Sequence, residues 1–399
     1  MLFAPLHFSP LFLACYLGVM TINKKREIYM NEDYSEIFDK VYEEREPNFN
    51  ECINIAFVGK VSTGKSSLIN AVMLRDRDDP IVEVGATSGV TTEVKAFKLD
   101  DHVLIIDSPG LDDIRKENSA ETKQFLSNID LGIMVVTGSA DSTQKKNYED
   151  LLNNANKVIV VLNKIDEWND LEESAFTDVV AQWKKELGVE CIYPTCTKGY
   201  DPRLKKDAPM DIRGVEELNE DIWGYLRKEG KDLLLARHLG DKRKYAASII
   251  ATALVAVAGE AFIPGSAAYI TVTQALAITS LHYLYTGNVL AKGSALALLP
   301  TFMGESAGVT VFLWVKSFLP PTGVVDIAAA GVAVGITFAM LSAVTYLLST
   351  GLEIDQKNVL KEKFKEYKDS TPTDFTKKVI DTVKDGGSIK DMIYKLLFA

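Results

Sequence analysis

The sequence predicts an α/β domain, a mostly parallel sheet with helices on both faces, followed by an all-α hydrophobic helical domain. Three observations carry this reading. A β-rich run at 52–58 (CINIAFV) leads straight into a glycine-framed loop and then a helical pattern. Two further short apolar runs, 102–106 (HVLII) and 157–162 (KVIVVL), each end in a polar cluster. Finally, residues 245–352 hold five charges in 108 positions, against 25% charged for the whole chain.

A chain of 399 residues is long enough for two to three domains. With 47% hydrophobic residues it is globular, and its formal net charge is −11. That acidic balance argues against a nucleic-acid partner, which needs clustered Lys and Arg. The four cysteines (Cys15, Cys52, Cys191, Cys196) have neither metal-ligand nor redox spacing and read as reduced thiols of a cytoplasmic compartment. The four histidines are scattered and suggest no metal site.

Residues 1–29 read as an apolar leader or as sequence upstream of the true start. A secretory signal is disfavoured, because the basic cluster Lys24-Lys25-Arg26 follows the apolar run instead of preceding it. A membrane anchor would leave that cluster on the cytoplasmic side. The favoured reading is a start at Met30, since Lys-Lys-Arg-Glu can be encoded by a purine-rich run resembling a bacterial ribosome-binding site. Residues 30–51 hold a short acidic helix with Ile37 and Val41 on one side.

After the first strand come Gly59, Lys60, Val61, Ser62, Thr63, Gly64, Lys65, Ser66 and Ser67, a GxxxxGK[ST] loop between strand and helix. The glycines let the backbone curl so that successive N–H groups face a β-phosphate. Lys65 is placed to neutralise β- and γ-oxygens, and the Ser66 hydroxyl to ligate Mg²⁺. Lys60 is read either as a phosphate contact or as solvated, the latter favoured. The strand at 102–106 ends in Asp107-Ser108-Pro109-Gly110, where Asp107 holds Mg²⁺ through water and the Gly110 N–H senses the γ-phosphate.

The strand at 157–162 ends in Asn163-Lys164-Ile165-Asp166. A carboxylate there accepts from both N1–H and the 2-amino group of guanine. Adenine lacks that donor pair, so GTP and GDP are preferred. Between the loop and Asp107, the segment 85–93 is where a switch threonine belongs, Thr91 first and Thr92 second. After a strand at 190–193, Thr195-Cys196-Thr197-Lys198 occupies the place of the loop that packs on the base.

These motifs resemble the translation-factor-related GTPases, specifically their Era-like and dynamin-like branches, over about residues 50–230. The resemblance implies hydrolysis of GTP to GDP and phosphate with Mg²⁺ as cofactor. Where some members carry a water-orienting Gln after the DxxG glycine, this chain has Leu111. The resemblance is therefore to GTPases that find the missing groups elsewhere, often by pairing two G domains as a homodimer. Ser62 matches the dynamin-type serine, which helps hold a monovalent cation such as K⁺. Slow intrinsic hydrolysis follows.

A polar connector from 231 leads into a hydrophobic helical domain spanning 231–353, with apolar stretches at 245–262, 266–285, 294–319 and 327–349. The last is long enough to span a hydrocarbon core. Two readings remain open: membrane spans, even in number, contacting lipid, or a soluble bundle with a very apolar core. The region resembles the uncharacterised hydrophobic domain fused to Era-like GTPases in bacteria, including its Ile263-Pro264-Gly265 break. Residues 354–399 return to charged helical patterning, with Ser388 starting a terminal capping box. The whole reads as a cytoplasmic GTPase domain, 52–230, associated with a membrane.

Overall fold

A computed structural model describes residues 34–84, 95–109, 128–201, 204–205, 207–262, 266–303, 324–372 and 374–398. The chain divides into two compact units, Asn50–Asp241 on one side and Met1–Phe49 with Lys242–Ala399 on the other.

The unit Asn50–Asp241 is built on a sheet of seven described strands: β1 (Ile53–Val58), β2 (Lys95–Lys98), β3 (Val103–Ser108), β4 (Ile129–Val136), β5 (Ala155–Asn163), β6 (Tyr193–Thr197) and β7 (Ile212–Arg213). Their order is β2-β3-β1-β4-β5-β6-β7. The central pairs are parallel, and only the two edge strands, β2 and β7, run antiparallel to their neighbours. Every residue of β4 is buried, the pattern of a strand covered on both faces. Pairing of Val58 with both Ser108 and Met134 brings the ends of β3 and β4 alongside the end of β1. Side chains beyond these ends therefore meet at one edge of the sheet.

In chain order, α1 (Tyr34–Arg45) belongs to the other unit, and α2 (Lys65–Val72) follows β1 directly. Next come α3 (Ser142–Asn154), α4 (Glu173–Leu187), α5 (Val215–Lys228) and the short α6 (Asp232–Ala236). Asp141 caps α3 by accepting from the Thr143 N–H at 2.8 Å. Trp183 of α4 is 1% exposed in a core it shares with Ile106, Met134, Leu151 and Leu162, and its indole N–H donates to the Gly138 carbonyl at 2.8 Å. Leu233, Leu234 and Leu235 of α6 are buried. The chain that follows is pinned by Asp100, which meets Arg237 at 2.9 Å and His238 at 2.7 Å.

The second unit is helical: α7 (Arg243–Glu260), α8 (Ser266–Thr286), α9 (Lys292–Met303), α10 (Val324–Ser349), α11 (Lys357–Ser370), α12 (Phe375–Lys384) and α13 (Lys390–Phe398). Helix α10 is central, packing against α7, α8, α11 and α12. The N-terminal helix lays Ile37, Phe38, Val41 and Tyr42 onto Ala268, Tyr269, Val272, Ala275 and Ala295. At its end Arg45 reaches Glu260, which is fully buried, at 2.5 Å, and Thr273 donates to the same carboxylate at 2.8 Å. Burial pushes the Glu260 carboxyl up, while Arg45 and Thr273 oppose the shift. The Ser388 hydroxyl accepts from the Lys390 N–H at 3.4 Å, at the start of α13.

The apolar stretches differ from the multi-span expectation. Among the described residues, Ala330–Ser349 is the one helical stretch long and apolar enough to cross a hydrocarbon core. Some 72% of its most apolar window is buried within the protein, and Thr337, Ser342 and Thr345 along it are buried as well.

Candidate nucleotide site

The loop between β1 and α2 closes on itself through backbone and lysine contacts. Gly64 sits in the left-handed region at φ 84°, and an added Cβ would stand 2.5 Å from Asn163 Nδ2. A Cβ on Gly59 would stand 2.1 Å from the Val135 carbonyl oxygen. Both positions therefore demand glycine, for conformation in one case and for close approach in both. Ser62 adopts φ 68° and Lys164 φ 64°, left-handed positions uncommon for residues with side chains. Such backbone strain is held at sites where the curl itself has a use.

Lys65 opens α2 and is buried, 4% exposed. Its Nζ donates to the Gly59 carbonyl at 2.8 Å and the Lys60 carbonyl at 3.1 Å, and stands 3.5 Å from Asp107 Oδ1. Burial lowers its pKa and the Asp107 carboxylate opposes that shift. An ammonium in this position strongly favours anionic oxygens close by. Ser66 Oγ donates to Asp107 Oδ2 at 2.7 Å.

Asp107 is 1% exposed, and its Oδ1 is buried without a hydrogen-bond partner. A buried carboxylate with one oxygen lacking a hydrogen bond, beside a hydroxyl, is the donor set a small hard cation selects. The residues present thus fit Mg²⁺, with Ser66 and Asp107 as its holders.

Asn163 ties the two halves of the site together. Its Nδ2 donates to the Thr63 carbonyl at 2.9 Å and to the Thr197 hydroxyl at 3.2 Å, and its Oδ1 accepts from Thr195 Oγ1 at 3.1 Å. Asp166 lies on a short 3-10 turn, Ile165–Trp168, directly after β5. One of its oxygens is 3.5 Å from Cys196 Sγ, the other 3.3 Å from Lys198 Nζ.

The structure brings together Gly59, Lys60, Val61, Ser62, Thr63, Gly64, Lys65, Ser66, Ser67, Asp107, Asn163, Lys164, Asp166, Cys196, Thr197 and Lys198 around the ends of β1, β3, β5 and β6. Thr91, Thr92, Gly110 and Leu111 lie outside the described residues. One sequence expectation needs correction. Residues 195–197 lie in β6, not in a loop after a strand at 190–193. The β-branched Thr195 and Thr197 fit a ladder position, and from it both reach Asn163. Lys60 is half exposed and forms an ion pair with Asp141, a partner that local sequence spacing does not reveal at a separation of 81 residues.

Residues 54–164 match the family model described as 50S ribosome-binding GTPase. The Fe(2+) transporter FeoB of Helicobacter pylori is 32% identical over 167 residues, covering 40% of this chain and 24% of that protein. The tRNA modification GTPase MnmE of Campylobacter jejuni subsp. doylei is 33% identical over 146 residues, 34% of this chain and 33% of its own length. The GTPase Der of Clostridium tetani is 28% identical over 163 residues, with shares of 39% and 36%. The chain thus spans about a quarter to a third of the length of these relatives. Among solved structures, the LeoA bacterial dynamin GTPase from ETEC aligns over 98% of this chain and 78% of its own, at 14% identity and a TM-score of 0.31. The sheet, the loop and the family match agree on one identification: the chain carries a P-loop GTPase G domain related to those of FeoB, MnmE and Der.

Proposed function

We propose that this chain is a GTP hydrolase of slow intrinsic turnover, a nucleotide-dependent switch that works by pairing G domains and meets a membrane surface through its helical unit. The observation that carries the hydrolase is the junction of Lys65, Ser66 and Asp107 at the sheet edge that also presents Asn163 and Asp166. In this reading a water oxygen attacks the γ-phosphorus, the bond to the β–γ bridging oxygen breaks, and GDP and inorganic phosphate leave. Lys65 offsets charge on the β- and γ-oxygens, and Asn163 holds the loop beneath them. Mg²⁺, when bound, draws off charge from the same oxygens. Asp166 selects guanine.

Pairing is supported by the sequence at two points. Leu111 has no group to orient water, and Ser62 occupies the loop position suited to a monovalent cation such as K⁺. Turnover per molecule is expected to rise with protein concentration, with potassium in place of sodium, or with anionic liposomes. A fast rate indifferent to all three sinks the pairing and the membrane reading alike.

One observation favours a second reading, a nucleotide-dependent scaffold or soluble assembly factor with little turnover. Helix α10 is largely buried inside its own unit, as the core helix of a bundle is. Flotation with anionic vesicles separates the cases: a helical unit that meets the membrane rises with them, and a soluble assembly factor stays at the bottom of the gradient.

A further inference from the structure

Helix α11 sets its lysines in a row. Lys357, Lys361 and Lys365 follow one another at four-residue steps, and Lys368 lies three residues further on. Residues three and four apart share one face of a helix, so the four form a single stripe about 16 Å long. All four are exposed. The helix beneath them is anchored: Leu360 and Phe364 are buried, and the Phe364 ring meets that of Phe302 in α9 at 5.5 Å.

This arrangement runs against what a merely solvated helix face favours. Opposite charges four residues apart support a helix, and like charges there weaken it. Lys357 to Lys361 and Lys361 to Lys365 are both like-charge steps. Carboxylates are close in sequence, yet Lys363, off the stripe, is the lysine that meets Glu366 at 2.7 Å, while lying 4.3 Å from the centre of the Tyr346 ring. Among the described residues, Lys357, Lys361 and Lys365 make no side-chain ion pair or hydrogen bond.

A row of like charges is relieved by an anionic surface that runs along it. The position of the row in the chain indicates which surface. Helix α11 packs against α10 and follows it after residues 350–356, directly beyond the apolar stretch Ala330–Ser349. Basic clusters just past a membrane-length apolar helix, or on an amphipathic one, are the footprint of anionic lipid. A nucleic acid fits less well, because a long polyanion would meet the rest of a chain whose net charge is −11. We propose that the lysine stripe of α11 is a docking surface for anionic lipid headgroups, laying this helix along the membrane plane. The inference rests on the membrane reading above and names the face that makes the contact.

The test floats the full chain with vesicles of phosphatidylcholine mixed with phosphatidylserine, and with phosphatidylcholine alone. Wild type is expected to rise with the mixed vesicles only, and to be released as salt is raised. The triple variant Lys357→Gln, Lys361→Gln, Lys365→Gln is expected to bind the mixed vesicles about a hundredfold more weakly, from about fivefold per lysine. Its melting temperature is expected to hold or rise, since like-charge steps are removed, and this separates lost docking from lost fold. A control triple, Lys145→Gln, Lys185→Gln, Lys228→Gln, removes the same charge from exposed positions of α3, α4 and α5 and is expected to bind as wild type does. Equal binding by the stripe variant, an equal loss in the control, or equal flotation with phosphatidylcholine alone overturns the stripe and leaves the membrane reading to another surface. A wild-type chain that stays at the bottom with both vesicles overturns the membrane reading, and the stripe with it. A stripe-dependent shift of a single-stranded RNA probe without flotation overturns the lipid assignment in favour of nucleic acid.

Discussion

The Ser66 hydroxyl donates to Asp107 Oδ2 at 2.7 Å, joining the first turn of α2 to the end of β3. The other oxygen of Asp107 is buried without a hydrogen-bond partner and faces Lys65 Nζ at 3.5 Å. On the proposed reading this contact sets the hydroxyl and the carboxylate that would hold Mg²⁺ side by side. Asp107→Asn keeps the shape and removes the charge. The variant is expected to lose most of the Mg²⁺-dependent gain in GTP affinity, roughly tenfold or more, as a charge-assisted contact of ~1.5–3 kcal/mol implies. Titrations with and without Mg²⁺ measure it, and equal gains in both proteins remove Asp107 from the metal role.

Gly64 sits at φ 84° with Asn163 Nδ2 only 2.5 Å from where a Cβ would be. Gly64→Ala combines a left-handed backbone cost of roughly 1–2 kcal/mol with a clash against a buried amide. Circular dichroism is expected to retain the fold while fluorescent GDP no longer binds. Binding at wild-type strength would mean the loop relaxes without cost.

Asn163, 1% exposed, makes side-chain contacts to Thr63, Thr195 and Thr197. Asn163→Ala leaves the Thr63 carbonyl and two buried hydroxyls short of partners, a loss of roughly 1–3 kcal/mol. Urea unfolding monitored by tryptophan fluorescence is expected to show a lower midpoint with an unchanged slope.

Glu260 bears on pH. Burial raises its carboxyl in the folded chain above the ordinary 4.5, Arg45 and Thr273 opposing. A raised folded value means the native state binds the proton more tightly than the unfolded chain. Its contribution is fully favourable below about pH 4.5 and is lost as pH rises toward the folded value. Glu260→Gln is expected to flatten the fall in melting temperature over that window, relative to wild type. Arg45→Ala leaves the buried carboxylate with Thr273 but no cation and is expected to cost about 3 kcal/mol at neutral pH.

The nucleotide loop and the Asn163–Asp166 cluster were legible from sequence because each needs a specific residue type at a strand end. Their partners in space were less legible. Asp141 lies 81 residues from Lys60, and nothing in local spacing links them. Residues 195–198 read as a loop after a strand at 190–193, yet Pro194 keeps register opposite Leu162 of β5 and the strand runs on to Thr197. In the helical unit, composition announced the apolar helices but not their environment. Lipid and a bundle core reward the same residues, and composition does not record the packing of α7, α8, α11 and α12 around α10.

Asn163 bonds at once to Thr63 in the phosphate loop and to Thr195 and Thr197 beside the base reader. The two ends of the site are thus set at a fixed gauge, like the jaws of a caliper. A ligand that carries both a base and a diphosphate spans it in one binding event, with the second contact made at high effective concentration. Guanosine and inorganic phosphate, offered separately, each grip one jaw and forfeit that advantage. On the proposed nucleotide reading the product diphosphate is retained, and what resets the protein is whatever pulls the jaws apart.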